Sequence, residues 1–371
     1  MTSGWDEARN VLAVRLDAIG DVLMTTPAIR ALRGSPAHRS VTLLTSSAGA
    51  EVGRLVPEID AVIAYDAPWM KSSPDRPDPR HDLETIDRLQ ALGFDAAVIF
   101  TVYDQDPLPA AFLCVLAGIP LRLAHTHAKP YHLLTDPVDD PEPERFVRHE
   151  VRRQLDLVAH VGALTRDEHL SLHVRDGAVA RVRRRLAASG LDGQRPWFLL
   201  HPGATAPSRR YPTESFAAAA RQLRSVHGWR VVVTGSGRDR DAVETIARSV
   251  PDAISLVGEL DLEDLAAAIA LAPLLIANNS APAHIAAAVG TPVVDLYALT
   301  NPQHTPWLVP ARVLSHDVPC RFCHASVCPE GHHDCLRRVP GEAVVEAALE
   351  LAAASPRPRG TSIASEPAGA A

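Results

Sequence analysis

The sequence has few aromatic residues and no excess of positive charge. Phe, Trp and Tyr make up 5% of its 371 residues, and 37 Lys and Arg stand against 44 Asp and Glu, for a net charge of −7. A general nucleic-acid binder needs a basic excess to displace counterions from phosphates, and RNA readers commonly stack bases on aromatic rings. We therefore expect no nucleic-acid partner.

Long apolar runs are also missing. Stretches such as residues 265–277 stop after about 13 residues and include a proline, whereas a membrane span needs about 20. The charged first residues lead directly into a strand-like segment at 11–16, which is unlike a signal peptide. We expect a cytoplasmic protein with at most peripheral membrane contact, in which the five cysteines are reduced.

Short β-branched runs alternate with segments of helical spacing along most of the chain. The predicted strands lie at 11–16, 41–44, 61–65 and 96–102, and then at 197–200, 230–234, 254–256, 274–277 and 292–297. This alternation is typical of βαβ units and a parallel sheet. We predict two Rossmann-like α/β domains, at 1–185 and 186–354, and a low-complexity, disordered tail at 355–371.

The first candidate for chemistry is Asp21, which follows Gly20 where the first strand passes into a helix. Ligands of open α/β sheets bind at the carboxyl ends of the strands, so a reacting group is expected there. Helix starts are also common places for a capping aspartate, and the spacing by itself leaves both interpretations open.

In the second half, residues 201–216 form a loop of small residues with two arginines after a strand. Such a loop lets the backbone approach a ligand, and Arg209 and Arg210 suit phosphate, although a solvated basic turn has the same composition. The turn at 234–240, with Gly235 and Asp239, is similar to a nucleotide-binding turn but lacks the full glycine spacing.

A third loop, at 278–284, opens a helix with short polar residues and Pro282 in its first turn. Backbone N–H groups at a helix start bind anions, so this loop predicts an anion site. His284 lies in the same turn, either as a structural residue or facing the bound anion.

Taken together, these segments resemble glycosyltransferase family 9, the ADP-heptose:lipopolysaccharide heptosyltransferases, over about residues 10–350. The resemblance rests on the Gly-Asp-Val turn at 20–22, the His-Pro-Gly loop with its basic residue and Tyr-Pro pair at 201–212, the Ser-x-Pro-x-His loop at 279–284, and a cysteine-rich stretch. It implies a GT-B fold, with two Rossmann-like domains facing across a cleft. The acceptor would bind the N-terminal domain and the nucleotide-sugar the C-terminal one.

The resemblance also implies an inverting transfer of heptose from ADP-heptose, without an essential metal, onto a glycan, lipid-linked or small-molecule acceptor. Asp21 matches the family's general base, and Arg209 stands where the family has a lysine beside the donor diphosphate. The residues expected to hold the donor are Gly20, Thr205, Ser208, Arg209, Gly235, Asp239, Asn279, Ser280, Ala281 and His284.

Two positions depart from the family pattern: Asn279 replaces an aspartate and Ala281 replaces a glycine. The first change removes a negative charge beside the diphosphate, and the second narrows the freedom of the backbone. They leave a competing hypothesis open, namely a non-catalytic nucleotide-sugar-binding or regulatory protein with a structural zinc module.

Four cysteines fall within 16 residues, at Cys320, Cys323, Cys328 and Cys335, with His332 and His333 in the last interval. The first two intervals match a zinc knuckle, and the third would place His333 or Cys335 as the fourth ligand. The other interpretation is a cluster of reduced thiols that packs a loop. In either case we expect the segment at 320–335 to be structural, and no cofactor to be needed for catalysis.

Overall fold

A computed structural model describes residues 4–34, 39–71, 73, 78–191 and 195–354. The chain divides into two compact units, Met1–His173 and Val174–Ala371, here called the N-terminal and C-terminal units. The predicted tail at 355–371 lies outside the described residues. No helix among the described residues is both long and apolar enough to cross a membrane.

The N-terminal unit is a six-stranded parallel sheet with helices. Its strands run in the order β3-β2-β1-β4-β5-β6. They are β1 Asn10–Arg15, β2 Ser40–Thr45, β3 Ala61–Ala64, β4 Ala96–Ile99, β5 Leu121–Thr126 and β6 Asp136–Asp139. The helices are α1 Gly4–Glu7, α2 Ile19–Arg33, α3 Ser47–Gly53, α4 Arg80–Leu92, α5 Leu108–Leu116 and α6 Glu150–Ala159.

The C-terminal unit repeats this topology, with the order β9-β8-β7-β10-β11-β12. Its strands are β7 Trp197–His201, β8 Arg230–Gly235, β9 Ile254–Val257, β10 Leu275–Asn278, β11 Val293–Leu296 and β12 Ala311–Leu314. Its helices are α7 Asp176–Ala188, α8 Thr213–His227, α9 Arg240–Ser249, α10 Leu262–Leu271, α11 Ala281–Val289, α12 Asp334–Arg337 and α13 Gly341–Ala354. Short 3-10 turns lie at Pro207–Arg209 and Gly237–Asp239.

Strand order explains where ligands can bind. In each unit the first strand lies between the second and the fourth, so the order reverses beside it, between β1 and β4 and between β7 and β10. Loops leave such a point on opposite sides of the sheet and open a crevice at the carboxyl ends of the strands. The prediction of two Rossmann-like parallel-sheet domains is confirmed, and the crevices lie after β1 and after β7.

Local chemistry moves several predicted boundaries. The sequence predicts a helix over 147–161, but helix α6 begins at Glu150, because His149 caps it by accepting a hydrogen bond at Nδ1 from the N–H of Val151. The segment at 66–82, rich in Pro, Ser and charged residues, predicts a loop, but helix α4 begins within it at Arg80. Helix α7 runs through the predicted domain boundary at 185/186 and packs on α10, where Arg181 pairs with Asp264 at 2.7 Å.

A buried charge cluster ties α6 to the sheet of the N-terminal unit. Arg153 is 1% exposed, and its guanidinium contacts Asp140 at 2.6 Å and Glu142 at 2.7 Å. Its Nε donates to the carbonyl of Thr101 at 2.9 Å. Every nitrogen of this guanidinium is therefore used to hold α6 against the segments that follow β4 and β6.

We predict that Arg153→Ala destabilises the protein by about 3–5 kcal/mol, because it removes the nearest counter-charge of buried Asp140 and one of the two arginines that pair with buried Glu142, the other being Arg148. The neighbouring Arg152 is 42% exposed and pairs with Glu168, so Arg152→Ala should cost about 0–1 kcal/mol. Urea unfolding of both variants checks this. Equal losses of unfolding free energy would contradict the structural role of the buried cluster.

Candidate active site

The crevice after β1 is organised by one buried arginine. Arg15, the last residue of the strand, is fully buried, and its guanidinium contacts three carboxylates: Asp17 at 2.9 Å, Asp21 at 3.2 Å and Glu150 at 2.8 Å. Burying a guanidinium is costly unless its charge is compensated. The three carboxylates supply that compensation and are thereby held in fixed places.

Asp21 is the most accessible of the three carboxylates. Its side chain is 21% exposed, against 13% for Asp17 and none for Glu150. It lies in the first turn of α2, where Oδ2 accepts a hydrogen bond from the N–H of Ala18 at 3.3 Å. Asp21 therefore caps the helix start, and part of its carboxylate stays exposed at the end of β1, while a reacting role for it stays a prediction.

Further residues, which the sequence spacing did not indicate, form hydrogen bonds to the carboxylates around Arg15. Gln154 donates to Glu150 at 2.7 Å and to the carbonyl of Thr101 at 3.0 Å, and Gln105 donates to Asp17 at 2.6 Å. Burial raises the pKa of Glu150, an effect that the charge of Arg15 opposes. The network brings residues from α6 and from the loop after β4 to the end of β1.

In the C-terminal unit, Asn278 joins the two loops at the crevice. Its Nδ2 donates to the carbonyl of Pro202 at 2.6 Å, and its Oδ1 accepts from the N–H of Tyr211 at 2.9 Å. Ser280 adds a hydrogen bond from Oγ to the carbonyl of Gly203 at 3.2 Å. The loop after β7 and the start of α11, predicted separately, therefore form one surface.

The turn at 234–240 supports this surface from the side. Asp239 accepts hydrogen bonds from the N–H and Oγ of Ser236 at 2.9 and 2.7 Å. A Cβ at Gly203 would lie 2.6 Å from that carboxylate, so any larger residue there would displace the Asp239 side chain. Gly235 is similarly confined, because a Cβ would meet Val243 at 2.8 Å.

The 3-10 turn at 207–209 carries the predicted phosphate residues. Thr205 is exposed, whereas Ser208 is 3% exposed and donates its Oγ to the carbonyl of Ala325 at 2.7 Å. Arg209 donates through Nη2 to Oδ1 of Asn301 at 2.9 Å. Asn301 lies 92 residues further along the chain and was not a predicted site residue.

Asn279 faces inward. Its Nδ2 donates to the carbonyl of His304 at 2.9 Å and approaches Oδ2 of Asp295 at 3.4 Å. Burial raises the pKa of Asp295 to about 7, against the opposing effects of the Asn279 hydrogen bond and the Arg209 charge. Residue 279 itself is neutral, but the carboxyl group of Asp295, on β11, lies beside it in the interior.

The remaining predicted residues lie on the two helix starts. Ser280 is the N-cap of α11, Ala281 is its first residue, and His284 is 5% exposed in its first turn. The first N–H groups of a helix have no acceptor within it and are available to an anion. Gly20 and Asp21 belong to the N-terminal unit, and all other predicted site residues to the C-terminal one.

The four cysteines of 320–335 are free thiols. Burial raises the pKa of the Cys320 and Cys335 thiols, and the neighbouring cysteines raise both pKa values further. Sγ of Cys320 lies 3.6 Å from Nε2 of His332. Across the described residues, which include this whole segment, no three His, Cys, Asp or Glu side chains are grouped to hold a metal ion. The zinc site stays a prediction.

Sequence comparison finds heptosyltransferases among the proteins that are similar to this chain. Lipopolysaccharide heptosyltransferase 2 of Escherichia coli K12 is 29% identical over 64% of this chain and 72% of its own length. Lipooligosaccharide heptosyltransferase 2 of Haemophilus influenzae is 34% identical, over 32% of this chain and only 36% of that enzyme.

Two solved structures share the fold. The glycosyl transferase family 9 protein of Veillonella parvula superposes with a TM-score of 0.78 at 22% identity, covering 94% of this chain and 98% of that one. E. coli heptosyltransferase WaaC with ADP-2-deoxy-2-fluoro heptose gives a TM-score of 0.65 at 18% identity, covering 92% and 99%. The GT-B fold class is thereby confirmed.

The family assignment follows from the sequence match. Residues 85–333, more than half of the chain, match the model of glycosyltransferase family 9 (heptosyltransferase). The match includes the loops after β7 and β10 and most of the cysteine-rich segment. The protein is therefore a glycosyltransferase and belongs to family 9, the heptosyltransferases.

Proposed function

We propose that this enzyme transfers heptose from ADP-heptose, with inversion at the anomeric carbon, to a hydroxyl of a lipopolysaccharide-type acceptor. The names of the relatives support the acceptor class, and the ligand of the WaaC structure supports the donor. The observation that carries the proposal is the partly exposed carboxylate of Asp21, held by Arg15 at the end of β1.

The donor diphosphate is assigned to the C-terminal unit. Arg209 supplies a permanent positive charge, and the first amides of α11, at Ser280 and Ala281, supply hydrogen-bond donors. Thr205 is exposed on the same loop, whereas the hydroxyl of Ser208 already has an acceptor. Negative charge grows on the leaving nucleoside diphosphate, so fixed donors at this place stabilise the transition state.

In the proposed step, the acceptor oxygen attacks C1 of the heptose while its proton passes to the carboxylate of Asp21. The bond between C1 and the diphosphate oxygen breaks, and ADP leaves with the electron pair. A general base must touch the acceptor hydroxyl, which only an accessible carboxylate can do. Among the three carboxylates on Arg15, exposure favours Asp21.

We expect Asp21→Asn to lower turnover by about 10²-fold or more, the usual scale for a positioned base, with ADP affinity unchanged. Initial rates of heptose transfer and calorimetric titration with ADP measure the two quantities. Asp17→Asn is the matched control, because it removes a less exposed charge from the same arginine. Near-normal turnover in Asp21→Asn, or equal losses in both variants, would reject Asp21 as the base.

We expect Arg209→Ala to weaken ADP binding by about 1.5–3 kcal/mol, the range for a charged hydrogen bond. Arg312, which pairs with Glu350 on the same unit, provides a control whose replacement by Ala leaves ADP binding as it was. Calorimetry with both variants decides the question. Unchanged ADP affinity in Arg209→Ala would remove this residue from the donor site.

We also propose that the cysteine-rich segment is structural. Thiolates and imidazoles suit zinc chemically, but among the described residues these side chains are not grouped as metal ligands. Cys320→Ser combined with Cys323→Ser should lower the melting temperature and leave turnover at saturating donor unchanged. Loss of turnover at an unchanged melting temperature would contradict this. Elemental analysis distinguishes one zinc per chain from a metal-free thiol cluster.

A further inference from the structure

The cysteine-rich segment touches the turn that carries Arg209. The N–H of Ser208 donates to the carbonyl of Ser326 at 3.0 Å, and its Oγ donates to the carbonyl of Ala325 at 2.7 Å. On the other side, the imidazole of His333 is hydrogen-bonded to the carbonyl of Ser208. Both backbone groups and the hydroxyl of Ser208 are thus held by residues 325–333.

The same segment holds a second loop, at 299–301. The N–H of Phe322 donates to the carbonyl of Leu299 at 2.6 Å, and the N–H of His324 donates to that of Thr300 at 2.9 Å. Phe322 and His324 have φ angles of 62° and 52°. Such angles are unfavourable for these residue types and persist where the surroundings fix the backbone.

Asn301 is the point where these contacts meet Arg209. Its Oδ1 accepts from Nη2 of Arg209 at 2.9 Å and from Oγ1 of Thr300 at 2.8 Å. Its Nδ2 lies 3.3 Å from Nδ1 of His324, and its carbonyl accepts from Oη of Tyr297 at 2.6 Å. Asn301 is therefore held in place by several contacts besides its hydrogen bond with the Arg209 guanidinium.

We propose that Asn301 is a positioning residue that orients Arg209 for the donor diphosphate, and that the cysteine-rich segment holds Asn301 and the Ser208 turn in place. This rests on the proposed donor site. An arginine side chain has many rotamers, and fixing it in advance lowers the cost of binding. A neutral amide oxygen does so without cancelling the charge that attracts the diphosphate, as a carboxylate would.

In this proposal the cysteine-rich segment supports the donor site through its backbone. The segment presents Phe322 and Val327 to solvent, 43% and 66% exposed, so it buries little apolar surface of its own. Its backbone instead supplies donors and acceptors to two loops of the donor site. Donor affinity should therefore depend on residues that do not touch the donor.

A double-mutant cycle on ADP affinity tests this. Asn301→Ala should weaken ADP binding about fivefold, because the variant loses the hydrogen bond that orients Arg209, and a single hydrogen bond contributes about this much. In the Arg209→Ala background the same change should weaken binding by less than about twofold, because its effect passes through the arginine. Calorimetric titration of the four proteins measures both effects, and their melting temperatures are recorded in parallel.

Two further variants test whether a loss of ADP affinity comes from the orientation of Arg209 or from general damage to the structure. Asn301→Asp keeps the shape of the side chain and sets a carboxylate against Arg209, so it should weaken ADP binding at least as much as Asn301→Ala. Asn10→Ala removes hydrogen bonds to the carbonyls of Leu92 and Gly93 in the other unit and should leave ADP affinity unchanged.

The binding data distinguish failure of the positioning role from failure of the donor site. If Arg209→Ala weakens ADP binding but Asn301→Ala does not, or if the two effects simply add, Asn301 does not act through Arg209 and the proposal is overturned while the donor site stands. If Arg209→Ala has no effect, the donor site itself is wrong, and the positioning role is lost with it.

Discussion

Both units depend on one constraint of parallel sheets, which is that loops on either side of a reversal in strand order must diverge. The reversal lies between β1 and β4 in one sheet and between β7 and β10 in the other. Because backbone N–H groups of the following helices point into the resulting crevice, polar chemistry is concentrated there. Asp21 follows β1, and Arg209 and Ser280 follow β7 and β10.

In each unit a polar side chain supports a predicted site residue, and this supporting side chain is fully buried at Arg15 and partly buried at Asn301. Arg15 holds Asp21 in the N-terminal unit, and Asn301 holds Arg209 in the C-terminal unit. Interior positions make such contacts strong and also make unpaired groups costly, so the supporting residues are themselves tied by further hydrogen bonds. Glu150 is bonded to Gln154, and Asn301 to Thr300. Such paired layers limit how far the facing side chains can move.

Asn279 shows why a substitution in a loop must be judged with its surroundings. The family resemblance implies an aspartate at this position, and relative to it Asn279 lacks one negative charge at the start of α11. The amide, however, is turned toward Asp295 and the carbonyl of His304, and the carboxyl group on β11 is fully buried beside it. The neutral residue can donate to that carboxyl, whereas a second carboxylate at the same distance would repel it.

The sequence by itself determined the local features of this protein. Alternating apolar runs predict most of the strands, although not β6 or β12, and small or polar residues at strand ends predict the loops that follow β1, β7 and β10. Both signals depend on neighbouring residues. Tertiary structure decided which side chains support those loops. Glu150 lies 135 residues from Arg15, and Asn301 lies 92 from Arg209. Spacing carries no signal over such separations, since only the packing of the sheets and the path of the cysteine-rich segment bring these residues into contact.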